Sequence, residues 1–173
     1  VTAGSTAGSR SLRVREAHPG DLPAIREIYN QGIADRIATL DEDPKSEDAI
    51  REWYLEQHDE RYRVLVAERD GRVVGWASLN HYSHRCAYRG VADLSVYVAR
   101  EARGSGAGTA LLQSIEAHAR RGAFNKIVLF ALALNETGLR LYEKSGYREV
   151  GTFRAQGRLD GRPVDVVAME KLL

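Results

Sequence analysis

One cysteine, Cys86, stands in 173 residues, so no disulfide can form within the chain, and the composition suits a reducing cytoplasm. No apolar run approaches the roughly 20 residues that a membrane-crossing helix needs, and no signal peptide is recognisable at the start. Neither sign of charge dominates: 25 Lys and Arg face 24 Asp and Glu, a formal net charge of +1. A nucleic-acid binder carries a basic surplus or stripe, and without one DNA and RNA are not expected partners. His81 and His84 lack a carboxylate or further His at ligand spacing, so no metal is expected. Cys86 has no base beside it in sequence to make it a nucleophile.

What is present is enough for one domain with a real core: 43% of the residues are hydrophobic. Residues 1–11, rich in Gly, Ser, Thr and Ala, read as a flexible tail, and 12–173 as the domain. Residues 12–16 alternate as a first strand. Asp21 is placed to cap a helix through Ile33, with Leu22, Ile25, Ile28, Tyr29 and Ile33 on one face. An acidic connection over 34–45 precedes a second helix, 46–57, turning Ile50 and Trp53 inward. Runs 63–69 and 72–79 alternate around Asp70-Gly71, a hairpin signal, and 80–90 reads as a polar loop. Residues 91–98 form a half-buried strand, followed by a helix over 106–121. The apolar run 126–132 is expected to be a central strand buried on both faces. A helix over 136–144 stops at Gly146. A last hairpin, 147–154 with 164–171, turns around Asp160-Gly161.

The organising stretch is the 91–98 strand, the glycine loop Arg103-Gly104-Ser105-Gly106-Ala107-Gly108 and the helix after it. Such a loop sets bare backbone N–H groups at a positive helix end, which suits a phosphate or pyrophosphate. Two familiar loops fail. Thr109 and Ala110 follow Gly108 where a nucleoside-triphosphate loop needs Lys then Ser or Thr. Counting from Gly104, the third glycine of a dinucleotide fingerprint is replaced by Thr109.

Arg103-x-x-Gly106-x-Gly108 instead resembles the acyl-CoA pyrophosphate signature of the GNAT acetyltransferases. A second segment, Asn135 through Tyr142 to Gly146-Tyr147, resembles that family's Asn-x6-Tyr-x3-Gly-Phe/Tyr motif. The likeness extends to the branch that acetylates phosphinothricin, arsinothricin and similar amino-acid-like toxins. Arg85-x-x-Tyr88, Ser95-Val96-Tyr97-Val98 and Gly151-Thr152-x-Arg154 carry it. The resemblance implies an α+β fold, with a mostly antiparallel twisted sheet, splayed parallel central strands (91–98 and 126–132) and flanking helices. It implies acetyl-CoA as cosubstrate, a small-molecule amine as acceptor and a homodimer.

It also implies site roles. The arm of acetyl-CoA would pair with Leu94, Val96 and Val98, and a backbone N–H near Leu94 or Ser95 would face the thioester oxygen. The amides of Arg103, Gly104, Ser105, Gly106, Ala107 and Gly108, with Thr109, would hold the pyrophosphate, and Asn135 would contact the arm. Asp93 stands where the toxin-acetylating relatives usually carry Glu, and as the shorter acid it would act as base directly or through one water. Its other reading is a carboxylate satisfied by backbone or by Arg89. Tyr142 is the candidate general acid, against a tyrosine merely packed on a helix. Arg85 and Tyr88 would take a substrate carboxylate or oxyanion, against a solvated loop arginine. Arg36 and Thr39 are weaker candidates for the pocket wall. Other acceptors, such as a polyamine, an aminoglycoside or a protein N-terminus, and a non-catalytic acyl-CoA-binding module are the alternatives.

Overall fold

A computed structural model describes residues 11–57 and 59–173; the tail expected over 1–11 thus lies outside the described residues except for Ser11. The chain runs β1 (Leu12–Glu16), α1 (Leu22–Ala34), α2 (Glu47–Gln57), β2 (Val64–Arg69), β3 (Arg72–His81), β4 (Val91–Val98), α3 (Ala107–Arg121), β5 (Lys126–Leu132), α4 (Glu136–Lys144), β6 (Arg148–Leu159) and β7 (Arg162–Leu172). Seven strands form one sheet in the order β1-β2-β3-β4-β5-β7-β6. Every neighbouring pair is antiparallel except β4 with β5. No helix among the described residues is long and apolar enough to cross a membrane.

Strand alternation sends side chains to two faces, and each face is covered by helix. On one, Leu111, Leu112 and Ile115 of α3 pack on Ala77, Leu79, Leu94, Ile127 and Met169. On the other, Ile25 and Ile28 of α1 and Ile50 and Tyr54 of α2 pack on Val64, Val66 and Trp76. The Asp70-Gly71 and Asp160-Gly161 turns place both residues at positive φ, as a two-residue hairpin requires.

Several local expectations change. Asp21 occupies the N-cap of α1 but makes no capping bond. Its carboxylate is gripped instead by the Arg15 guanidinium at 2.7 and 2.9 Å and accepts the His18 backbone N–H at 2.9 Å. β3 continues through His81, because Asn80 and His81 still pair with Asp93 and Ala92 of β4. The last hairpin also runs on to its tight turn: residues 155–159 of β6 and 162–163 of β7 extend it, and most of these added residues are exposed. β5 is not buried on both faces: Ile127, Leu129 and Ala131 are buried, whereas Phe130 is 50% exposed. The reason is the sheet itself, which opens beside that strand.

Candidate active site

β4 and β5 pair only at Val91–Lys126, Ala92–Ile127 and Asp93–Val128. β4 continues to Val98 against β3 on its other side. From Leu94 onward, therefore, its β5-facing edge has no strand partner among the described residues, and an extended ligand can pair there. A cleft of about 630 Å³ opens at this gap, lined by Val96, Val98, Gly106, Thr109, Asn135 and Tyr142, among others.

The glycine loop closes one end of the cleft. Gly104 and Gly106 sit at φ +71° and +89°, and a Cβ built on either meets nothing within 4 Å. Positive φ makes glycine the low-cost residue there, and the empty space leaves the backbone approachable. Gly108 serves packing: its Cβ would lie 2.8 Å from Leu141 Cδ2 of α4. The first α3 bond runs from the Ala110 N–H to the Gly106 carbonyl at 3.0 Å. The N–H groups of Ala107, Gly108 and Thr109 consequently have no acceptor within the helix. The Arg103 and Ser105 N–H groups bond back to Arg100 and Ala102 carbonyls, each at 3.3 Å. Arg103 also braces the loop through its side chain, donating to the Val98 carbonyl at 3.2 Å and pairing with Asp35 at 2.7 Å. Asp35 holds Arg100 as well, which ties the loop to the end of α1. Asn135 caps α4 by accepting the Gly138 N–H at 3.0 Å. Arg36 points elsewhere, to the Glu42 carbonyl and Asp160, and Thr39 bonds the Asp41 N–H.

At the point where the strands part, Asp93 lies in the wall of two further clefts. Burial pushes its carboxyl up to about 6, although an Asn80 hydrogen bond and the Leu94 backbone N–H both favour the charged form. Such a carboxylate is ionised at neutral pH yet accepts a proton more readily than an ordinary one. No ion pair joins Asp93 to Arg89 among the described residues. Tyr142 is buried, its phenol raised to about 12 by burial and by the Asp93 charge. Its place is fixed by the end of α4. Gly146 at φ +88° lets the Gly146 and Tyr147 N–H groups reach the Glu143 and Tyr142 carbonyls, at 2.9 and 3.0 Å.

Arg85 and Tyr88 line the first of those clefts together with Asp93. Both are exposed, Tyr88 packs edge-on against Tyr82, and among the described residues Arg85 has no ion-pair partner. The second cleft runs from Asp93 along Asn80 and Ser95 to Tyr29, Trp53, Trp76 and Tyr97.

Sequence reasoning missed the support beneath Asp93. The register sets Asn80 opposite Asp93 and Ser78 opposite Ser95. Ser78, wholly buried, donates to Asn80 Oδ1 at 3.0 Å, and Asn80 Nδ2 donates to Ser95 Oγ at 3.1 Å and to Asp93 Oδ2 at 3.4 Å. Replacing Asn80 by Ala removes a donor that favours the carboxylate. The Asp93 pKa is then expected to move further above 6, by up to about one unit for one neutral hydrogen bond. A carboxyl titration followed by NMR checks this shift; an unchanged value contradicts it.

Residues 23–147 match the Acetyltransferase (GNAT) family. The phosphinothricin N-acetyltransferase of Alcaligenes faecalis is 33% identical over 161 residues, covering 92% of this chain and 82% of that protein. The L-methionine sulfoximine/L-methionine sulfone acetyltransferase of Pseudomonas aeruginosa is 30% identical over 161 residues, 92% of this chain and 94% of its own length. A crystal structure of the Sinorhizobium meliloti GNAT phosphinothricin acetyltransferase in complex with acetyl-CoA superimposes with a TM-score of 0.89. It is 29% identical and covers 94% of this chain and 88% of that one. With its parted central strands, its glycine loop and these likenesses, the chain belongs to the GNAT acetyltransferase family and is an N-acetyltransferase.

Proposed function

We propose that this enzyme moves an acetyl group from acetyl-CoA directly to the α-amine of a small amino-acid-like acceptor of the phosphinothricin or methionine sulfone type. The observation that carries this reading is the position of Asp93. It stands where the acceptor-sided clefts meet, within electrostatic reach of Tyr142 in the wall of the cleft beside β4. The names of the relatives from Alcaligenes faecalis and Pseudomonas aeruginosa supply the acceptor class.

The cleft fits acetyl-CoA on its own geometry. The unpartnered β4 edge from Leu94 to Val98 suits its amide-bearing arm, and the open amides of 106–109 suit its pyrophosphate. When bound, acetyl-CoA supplies an activated acetyl thioester. The chain's own work is then to hold, deprotonate and reprotonate. Asp93 takes the proton of the acceptor ammonium, directly or through one water, so that a neutral amine attacks. The buried Tyr142 hydroxyl, with its high pKa, keeps its proton until a departing thiolate needs one. Arg85 orients the acceptor's carboxylate at the rim of the first cleft, where an arginine without an ion-pair partner among the described residues favours an anion over a polyamine.

Arg85→Ala tests that orientation. The Michaelis constant for an anionic acceptor should rise about tenfold or more with turnover changed little, because the lost contact is made in the ground state. Steady-state kinetics with phosphinothricin checks it; a fall in turnover at constant Michaelis constant removes Arg85 as substrate anchor.

A further inference from the structure

The inner face of α3 carries a carboxylate that the transfer chemistry does not use. Glu116 falls at a core position, with Leu112, Ile115 and Ala119 buried around it, and is itself only 6% exposed. Lys171 meets it from β7, where it follows Val167 and Met169 on the same face of the sheet. The Lys171 Nζ donates to Glu116 Oε2 at 2.6 Å and to the Ser145 carbonyl, also at 2.6 Å. One ammonium therefore joins α3, β7 and the C-terminal end of α4.

That third contact bears on Tyr142. Of the nine residues of α4, Tyr142 alone is buried, so little packing holds the helix and its ends decide where the phenol sits. Asn135 caps the first end. At the other, the Ser145 N–H donates to the Leu141 and Tyr142 carbonyls at 3.1 and 3.0 Å, and its hydroxyl donates to the Leu141 carbonyl at 2.8 Å. Holding the Ser145 carbonyl thus holds the turn that carries Tyr142. The rings add a second link. Lys171 Nζ lies 5.4 Å from the centre of the Tyr147 ring, which meets Tyr142 edge-on at 5.9 Å.

Stability does not account for a charged pair at this place. Enclosing two charges costs desolvation that their attraction often fails to recover, and an apolar pair of similar volume serves a core as well or better. An ammonium does what a methionine cannot: it fixes a backbone carbonyl at a defined distance and direction.

Resting on the acid role given to Tyr142 above, we infer that Lys171, held by Glu116, is a positioning residue that sets the Tyr142 hydroxyl against the departing thiolate. The pair lies far from the glycine loop, since Glu116 is nine residues beyond Ala107, roughly 14 Å along α3. Its loss therefore slows turnover and spares acetyl-CoA binding.

Glu116→Leu combined with Lys171→Met removes both charges at once and leaves neither buried alone. This double variant should keep or raise Tm. Its turnover with phosphinothricin should fall about tenfold or more, the scale of a misplaced catalytic group, with acetyl-CoA affinity within about twofold of wild type. Glu116→Gln with Lys171→Met is closer in shape to the wild-type pair and carries the same expectation if the first variant folds poorly. In a Tyr142→Phe background the same two substitutions should cost less than about twofold, because the group they position is gone. Full turnover in the double variant, or a loss that multiplies with that of Tyr142→Phe, overturns the inference alone. Wild-type turnover in Tyr142→Phe refutes the acid role and the inference with it.

A second readout needs no acceptor. Tyr142→Phe identifies the Tyr142 signal in ring-carbon NMR of the tyrosines. Acetyl-CoA should shift that signal in wild type and much less in the double variant; equal shifts contradict the inference. Unequal shifts in an enzyme that transfers acetyl to neither phosphinothricin nor methionine sulfone would sustain the positioning role and refute the acceptor reading.

Discussion

Asp93→Asn is expected to lower turnover at pH 7.5 by about 10²–10⁴-fold, the range for loss of a positioned base, and to leave acetyl-CoA affinity within about twofold. Asparagine matches the side chain in shape and can still meet Asn80 and the Leu94 N–H, so the effect reports lost basicity. The pH profile sharpens the test. With the Asp93 carboxyl at about 6, wild-type kcat/KM should fall tenfold per unit below pH 6, and the variant's residual activity should lack that limb. Equal turnover in the two enzymes removes Asp93 as base.

The same residue predicts an opposite effect on stability. Its folded pKa, about 6, exceeds the ordinary 3.8, so the folded protein binds this proton more tightly than the unfolded chain does. The stabilising contribution of the protonated group is complete below pH 4 and is lost as pH rises through 6. At neutral pH the wild type therefore carries a buried carboxylate at a cost of at most about 3 kcal/mol, less where the open cleft lets water in. Asp93→Asn should raise Tm at pH 7.5 and change it little at pH 4. A residue that lowers stability while raising rate behaves as an active-site group, not as a structural one.

Gly106→Val should weaken acetyl-CoA binding by about 100-fold or more. A β-branched residue at φ +89° is heavily strained, and a non-glycine residue there costs of order 1–3 kcal/mol before branching is counted. Either the loop leaves its conformation and the amides of 106–109 lose their common aim, or it keeps it and the side chain fills the space a pyrophosphate would take. Gly161→Ala is the control. Its φ is +73° with nothing within 4 Å, at the β6–β7 turn away from the loop. It should lower Tm without moving acetyl-CoA affinity. Titration calorimetry separates the two. Normal affinity in Gly106→Val would mean that the loop is not the cradle.

What the sequence made legible was local. The order of elements follows from periodicity and from turn residues such as Asp70-Gly71 and Gly146, whose positive φ the fold confirms. The parting of β4 from β5 was implied by resemblance and is explicit in a pairing that ends at Asp93 and Val128. What stayed hidden depends on register between distant segments. Nothing in the order of residues sets Asn80 beneath Asp93, because that needs a strand pairing across 13 positions of a loop-like stretch. Trp76 lies in the alternating run 72–79, and nothing in that run shows that Tyr97, Trp53 and Tyr29 converge on it from three other elements. Asp21 shows the converse. Its position beside a helix start suggested a cap, yet Arg15, one strand back, offers a charged fork that the backbone N–H groups cannot match.

Release of CoA thiol from acetyl-CoA, measured across phosphinothricin, methionine sulfone, other amino acids, polyamines and peptides, tests the central claim most directly. Saturable release with phosphinothricin or methionine sulfone, abolished by Asp93→Asn, is the predicted result. Release with a polyamine or a peptide and none with either amino-acid analogue would contradict it.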